Sequence, residues 1–254
     1  MNETRIPQIS DEMKRRIKNI VKYHYGFTPK DNDLEWIDRM LRNNYATLHD
    51  QQIIRELAAK NVSDELLKNR DSIGSIEFER IWHEKSIFKY LTFASMCFRA
   101  GIPAGSISLC RTAIESGLRE RLAEELAKKE TTNVTELPET TWNKLKELNG
   151  KMLFKLIKEA DQEGIIEKQK IEEIFQEFKF EDQSGMKILD KFIHGDIVWM
   201  VNFVRDREED TSVIGAKDKL QEHKIISNMK TDKIAIEVLK ATTKIAEILY
   251  YKTI

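Results

Sequence analysis

The stretch Ala104–Lys128, AGSISLCRTAIESGLRERLAEELAK, decides the fold. Ile107, Cys110, Ile114, Gly117, Leu118 and Leu122 recur at three- and four-residue steps, the period of one helix face. Leu109, Ala113 and Ser116 widen that face until one neighbour cannot cover it, so the stretch reads as the central helix of a bundle. Gly117 costs about 1 kcal/mol against alanine inside a helix, which predicts close approach by another helix there. Beyond Leu126 the reading is of charge alone, running out into solvent.

Upstream, Ser75 to Arg99 holds one or two helices, with Trp82, Ile87, Phe88, Leu91, Ala94, Ser95 and Phe98 in helical register. Gly101 ends that region, and Pro103 and Gly105 mark the turn. Two long helices joined by so few residues form an antiparallel αα-hairpin. Nearer the N-terminus, Ser10 is expected to cap a helix to Lys22, and Thr28 with Pro29 to start a second helix containing Leu34. A further helix is expected from His49 to Ala59, and a short one from Val62 to Leu67 capped by Ser63.

Downstream, Thr131–Thr140 is the clearest loop, with Thr140 or Thr141 as the next cap. Short helices then follow, broken at Asn149-Gly150 and at Gly164, so that 131–180 reads as an insertion, equally a lid or a partner surface. Ser184–His194 is expected to be helical with Gly195 as its C-terminal cap, followed by a helix containing Trp199. Lys217–Lys224 reads as a polar connector or short helix before a last helix over Thr231–Tyr251. The fold class is therefore all-α: a helical portion over 1–72, then an up-and-down bundle over 73–254 carrying the insertion.

The chain has 254 residues, 33% of them charged, with 42 Lys plus Arg against 43 Asp plus Glu. That balance argues against a strongly basic nucleic-acid binder. Cys97 and Cys110 lie in apolar surroundings and read as free core thiols. No signal-peptide pattern and no apolar run of about 18 residues is present, so the expectation is a cytoplasmic protein without a membrane span. Phosphate-binding, dinucleotide, metalloprotease and serine-nucleophile motifs are absent, and the histidines His24, His49, His83, His194 and His223 are scattered. No cofactor and no metal site is expected.

Two places could carry chemistry. Arg111, Glu115 and Arg119 stand four apart, either as an ion-pair ladder or as a border that holds a histidine-bearing helix. His194 ends the run Asp190-Lys191-Phe-Ile-His194-Gly195. It is either a helix-end residue favoured by the dipole or a general acid-base group, with Asp190 orienting it and Lys191 or Lys187 supplying positive charge.

These two places together, GIPAGSISLCRTAIESGLRERL and the later LDKFIHGD, resemble the HEPN superfamily, nearest to bacterial HEPN-like domains with an R-x-x-x-E helix and a late His-Gly helix end. The resemblance covers about residues 85–250. It implies an up-and-down helical bundle, often dimeric, and in many members a metal-independent ribonuclease of defence systems. His194 matches the family histidine. The family arginine has no counterpart, because Lys187, Ile188 and Leu189 occupy its places.

The leading expectation is accordingly a non-catalytic interaction or dimerisation protein in a prokaryotic defence or stress setting, with a homodimer or another protein as partner. One alternative is a divergent ribonuclease or nucleotide-binding protein, for which RNA would be the ligand despite the balanced charge. Another is a Mg-dependent DNA-processing enzyme using Asp161, Glu163, Glu172 and Glu173.

Overall fold

The computed structural model describes residues 11–22 in part, 27–34, 48–68, 70–177 and 217–251. Among these the regular structure is helical throughout. A short 3-10 turn at Asp31–Asp33 precedes α1 (Leu48–Leu67), α2 (Arg70–Ile73), α3 (Ser75–Glu84), α4 (Ser86–Arg99) and α5 (Pro103–Glu130). Then come α6 (Leu137–Leu148), α7 (Leu153–Gln162), α8 (Lys168–Gln176) and α9 (Lys217–Tyr250). The chain is an all-α helical bundle.

Helix α5 is its centre, packing on α4, α6, α7 and α9. Its buried stripe is Ile107, Cys110, Ala113, Ile114, Gly117, Leu118 and Leu122, as the periodicity predicts. Helix α4 runs antiparallel to it. Gly101, at φ +76°, makes the turn possible: its N–H donates to Phe98 O at 3.0 Å and the Ile102 N–H to Cys97 O at 2.9 Å, which closes α4 in a left-handed cap that glycine enters without strain. Helices α1 and α9 run with α5, opposite to α4, and α9 also packs on α1, α4 and α8.

The close approach expected at Gly117 comes from α4. A Cβ on Gly117 would lie 2.8 Å from Ile87 Cδ1 and 3.2 Å from Ile87 Cβ. The nearby aromatic cluster joins α3, α4 and the end of α9: Phe88 has ring centroids 5.1 Å from Trp82, 5.8 Å from Tyr250 and 5.9 Å from Tyr251.

Several expected boundaries move, each for a local reason. The helix start expected at Thr28-Pro29 falls later, because Asp33 accepts the Lys30 N–H at 3.2 Å and makes Lys30 the cap. The two helices expected between His49 and Leu67 are one. Ser63 does not cap; its hydroxyl donates back to Ala59 O at 3.0 Å, while Ala58, Ala59 and Val62 continue the buried face. Thr140 and Thr141 likewise donate to Glu136 O and Leu137 O inside the first turn of α6, which starts earlier at Leu137-Pro138.

At the end of α5, Ala127 is fully buried, and only Lys128, Lys129 and Glu130 reach solvent. The connector expected at Lys217–Lys224 is part of α9. The breaks at Gly150 and Gly164 are present, both with positive φ. Residues 131–177 contribute Leu148, Leu153, Leu156, Ile157, Ile171 and Phe175 to the same core as α5.

Gly117→Ala is expected to destabilise the protein by about 1 kcal/mol, since overpacking costs about 1–3 kcal/mol and helix propensity returns up to about 1. Urea unfolding measures it. Ile87→Val, which removes Cδ1, should recover part of the loss in the double variant.

Candidate functional site

The R-x-x-x-E pair sits on one half-buried flank of α5. Arg111 Nη1 lies 2.7 Å from Glu115 Oε1, and Arg119 Nη2 lies 3.8 Å from Glu115 Oε2. Side-chain exposures of 20%, 13% and 23% make this a partly shielded ladder rather than a solvated one. Arg119 also donates to Lys151 O at 3.1 Å, so the ladder ties α5 to the turn before α7. Asp190, Lys191 and His194, with Lys187, lie outside the described residues, as do the helices expected over 184–194 and around Trp199.

A second polar locus lies on the next flank of α5. Lys85 precedes α4, and its side chain makes no cap. Glu120 takes that role from α5: its two carboxylate oxygens accept the Ser86 N–H at 3.2 and 3.3 Å. A carboxylate there meets the positive end of the α4 dipole as well as a free N–H. The Tyr250 hydroxyl donates to the same carboxylate at 3.2 Å. Burial and the neighbouring Glu120 and Glu124 charges push the Tyr250 phenol well above its usual range, so it is a donor at any physiological pH.

Lys85 pairs with Glu124, and Arg121 Nη1 reaches Glu124 at 2.8 Å. Burial raises the Glu124 carboxyl, but Lys85 and Arg121 outweigh it and hold the group below the usual carboxylate range. Both cations also stand over the Tyr250 ring, at 5.8 and 5.9 Å from its centroid.

The third polar feature is deeply buried. Arg55 Nε on α1 lies 2.6 Å from Asp232 Oδ2 on α9, with side-chain exposures of 8% and 1%. Gly101 lies against this guanidinium, since a Cβ there would be 3.0 Å from Arg55 Nη1. The other oxygen, Asp232 Oδ1, is buried without a hydrogen-bond partner among the described residues. Burial therefore dominates and pushes the Asp232 carboxyl up from 3.8 to about 6, against the opposing charge and hydrogen bond of Arg55.

The carboxylates of 161–173 are engaged locally. Asp161 accepts the Lys168 N–H at 3.1 Å, Glu163 pairs with Lys129, Glu172 with Lys168 at 3.2 Å and Glu173 with Lys170 at 3.0 Å. Among the described residues no group of three His, Cys, Asp or Glu side chains converges as for a metal ion. Cys97 and Cys110 are free thiols, and burial raises Cys110 to about 12, which keeps it a core thiol. No described helix is long and apolar enough to cross a membrane.

The Arg111–Glu115 pair was legible from its spacing. Glu120, Tyr250, Arg55 and Asp232 were not, because their partners are distant in sequence. A cavity of about 310 Å³ between α1, α3, α4 and α9 also lacks a local sequence signal. No family model, no curated protein and no solved structure matches the chain.

A folded Asp232 held near 6 binds its proton more tightly than the unfolded chain does. Its contribution to stability is complete below about pH 4 and is lost as pH rises through 6. Urea unfolding at pH 4 and pH 7 should show the wild type losing about 2 kcal/mol relative to Asp232→Asn across that window. A pH-independent difference between the two would contradict the assignment.

Proposed function

We propose that this chain is a non-catalytic helical protein that works by association, with a second copy of itself as its partner. The observation that carries this reading is an apolar strip at the outer end of the α4–α5 hairpin. Phe93 and Met96, one turn apart on α4, are 53% and 57% exposed, and Ile102, just past the Gly101 turn, is 54% exposed. Large apolar side chains grouped on a rigid element mark contact surfaces more often than scattered ones do. A strip of this kind, centred on a two-fold axis, meets its own copy.

The polar groups of α5 support the non-catalytic half of the proposal. Glu115 is shared by Arg111 and Arg119, Glu120 holds the start of α4 and Tyr250, and Glu124 holds Lys85 and Arg121. These are the demands of helix packing. The resemblance to HEPN proteins supplies the remaining context, a prokaryotic defence or stress setting, and the substitution of Lys187, Ile188 and Leu189 for the family arginine agrees with a role other than RNA cleavage.

Sedimentation analysis should show a concentration-dependent dimer for the wild type. Phe93→Glu combined with Met96→Glu should weaken it by at least about tenfold while helical content is kept. A wild type that stays monomeric at high concentration would contradict the proposal. Incubation with mixed RNA should show no cleavage that His194→Ala removes; His194-dependent cleavage would favour the ribonuclease reading instead.

A further inference from the structure

The cavity between α1, α3, α4 and α9 has a volume of about 310 Å³, at the lower end of the range for small-molecule sites. That volume equals about ten waters, hence a ligand of about ten non-hydrogen atoms. Its walls are apolar: Leu66 from α1, Phe78 and Trp82 from α3, Leu91 from α4 and Leu239 from α9.

The polar groups are arranged along α4. Arg99 and Ser95 both line the cavity and stand one helical turn apart, with Leu91 a turn further along. Ser95 Oγ is a buried atom without a hydrogen-bond partner among the described residues. Ser86 Oγ and Ser106 Oγ share that state, and of the three serines Ser95 alone lines the cavity. Thr92, Thr112, Thr242 and Thr243 all sit inside helices and each donates to the carbonyl four residues back. Ser95 makes no such bond, so its hydrogen-bonding capacity is unused among the described residues.

Arg99 and His83 border the cavity, are exposed, and make no ion pair among the described residues. The one carboxylate among the lining groups, Glu79, is engaged by Arg70 at 3.6 Å. The uncompensated charge at this rim is positive.

We propose that this cavity binds a small amphipathic monocarboxylate. Its tail lies against Leu66, Phe78, Trp82 and Leu91, and its carboxylate accepts from the Arg99 guanidinium and the Ser95 hydroxyl. The site combines an apolar body with two donors a turn apart at one end, the pattern expected for a fatty-acid-like or arylalkanoic anion. Phe93 and Ile102 of the association surface do not line the cavity, whereas Met96 borders both.

Octanoate is the probe, titrated into the intact chain by calorimetry below its micellar range, with octanol and octyltrimethylammonium as companions. The expected result is one octanoate per chain. Arg99→Gln and Ser95→Ala should each weaken octanoate by about tenfold and leave octanol within about twofold of wild type, because only the anion draws on charge-assisted bonds. Arg99 is exposed, so its variant folds as the wild type does, and a melting curve checks both variants. The proposal is overturned if octanoate fails to bind at millimolar concentration. It is also overturned if octyltrimethylammonium binds as well as octanoate, or if neither variant changes octanoate affinity.

Discussion

Three helices of this bundle meet at a residue without a side chain. Because Gly117 has no Cβ, Ile87 of α4 settles directly on the α5 backbone. That contact brings the first turn of α4 over Glu120, whose carboxylate then receives the Ser86 N–H, and it leaves room for Tyr250 at the end of α9 to reach the same carboxylate. The apolar contact and the polar contacts depend on one another. A larger residue at 117 would lift α4 and strain a half-buried hydrogen-bonded cap, and a half-buried carboxylate with fewer partners would carry a desolvation penalty of its own. The cations Lys85 and Arg121 complete the arrangement by neutralising Glu124 and covering the Tyr250 ring.

The far end of the α4–α5 hairpin is held differently. There the turn at Gly101 lies against Arg55, whose charge is matched by Asp232 across the interior. The two ends thus use unlike devices: a well-satisfied carboxylate at Glu120, and a strained balance at Asp232, where one oxygen lacks a partner. Buried pairs of the second kind contribute little net stability but penalise the loss of either partner heavily. Such a pair fixes which helices lie together: α1 cannot slide along α9 without separating Arg55 from Asp232.

What could be read from the residues divides along sequence distance. The course of α5, the antiparallel hairpin and the role of Gly117 follow from apolar spacing and a glycine where a helix must be approached closely. The i,i+4 relation of Arg111, Glu115 and Arg119 was visible for the same reason. The misplaced boundaries at Ser63 and Thr140 share one cause. A hydroxyl residue that caps a helix and one that bonds the carbonyl four residues back look alike in sequence, and only tertiary packing chooses between them. The Arg55–Asp232 pair spans 177 positions and Tyr250–Glu120 spans 130, so neither leaves a local pattern. The candidate site was half legible: its α5 side is a partly shielded ladder, while its His194 side lies outside the described residues.

The account makes the charged residues of α5 architectural, joined through shared partners. A double-mutant cycle between Glu120→Gln and Tyr250→Phe tests this most directly, with stability read by urea unfolding at neutral pH. The account predicts a coupling energy of about 1 kcal/mol, because the two groups share a half-buried, charge-assisted hydrogen bond. Additive losses, with no coupling between the two positions, would contradict it.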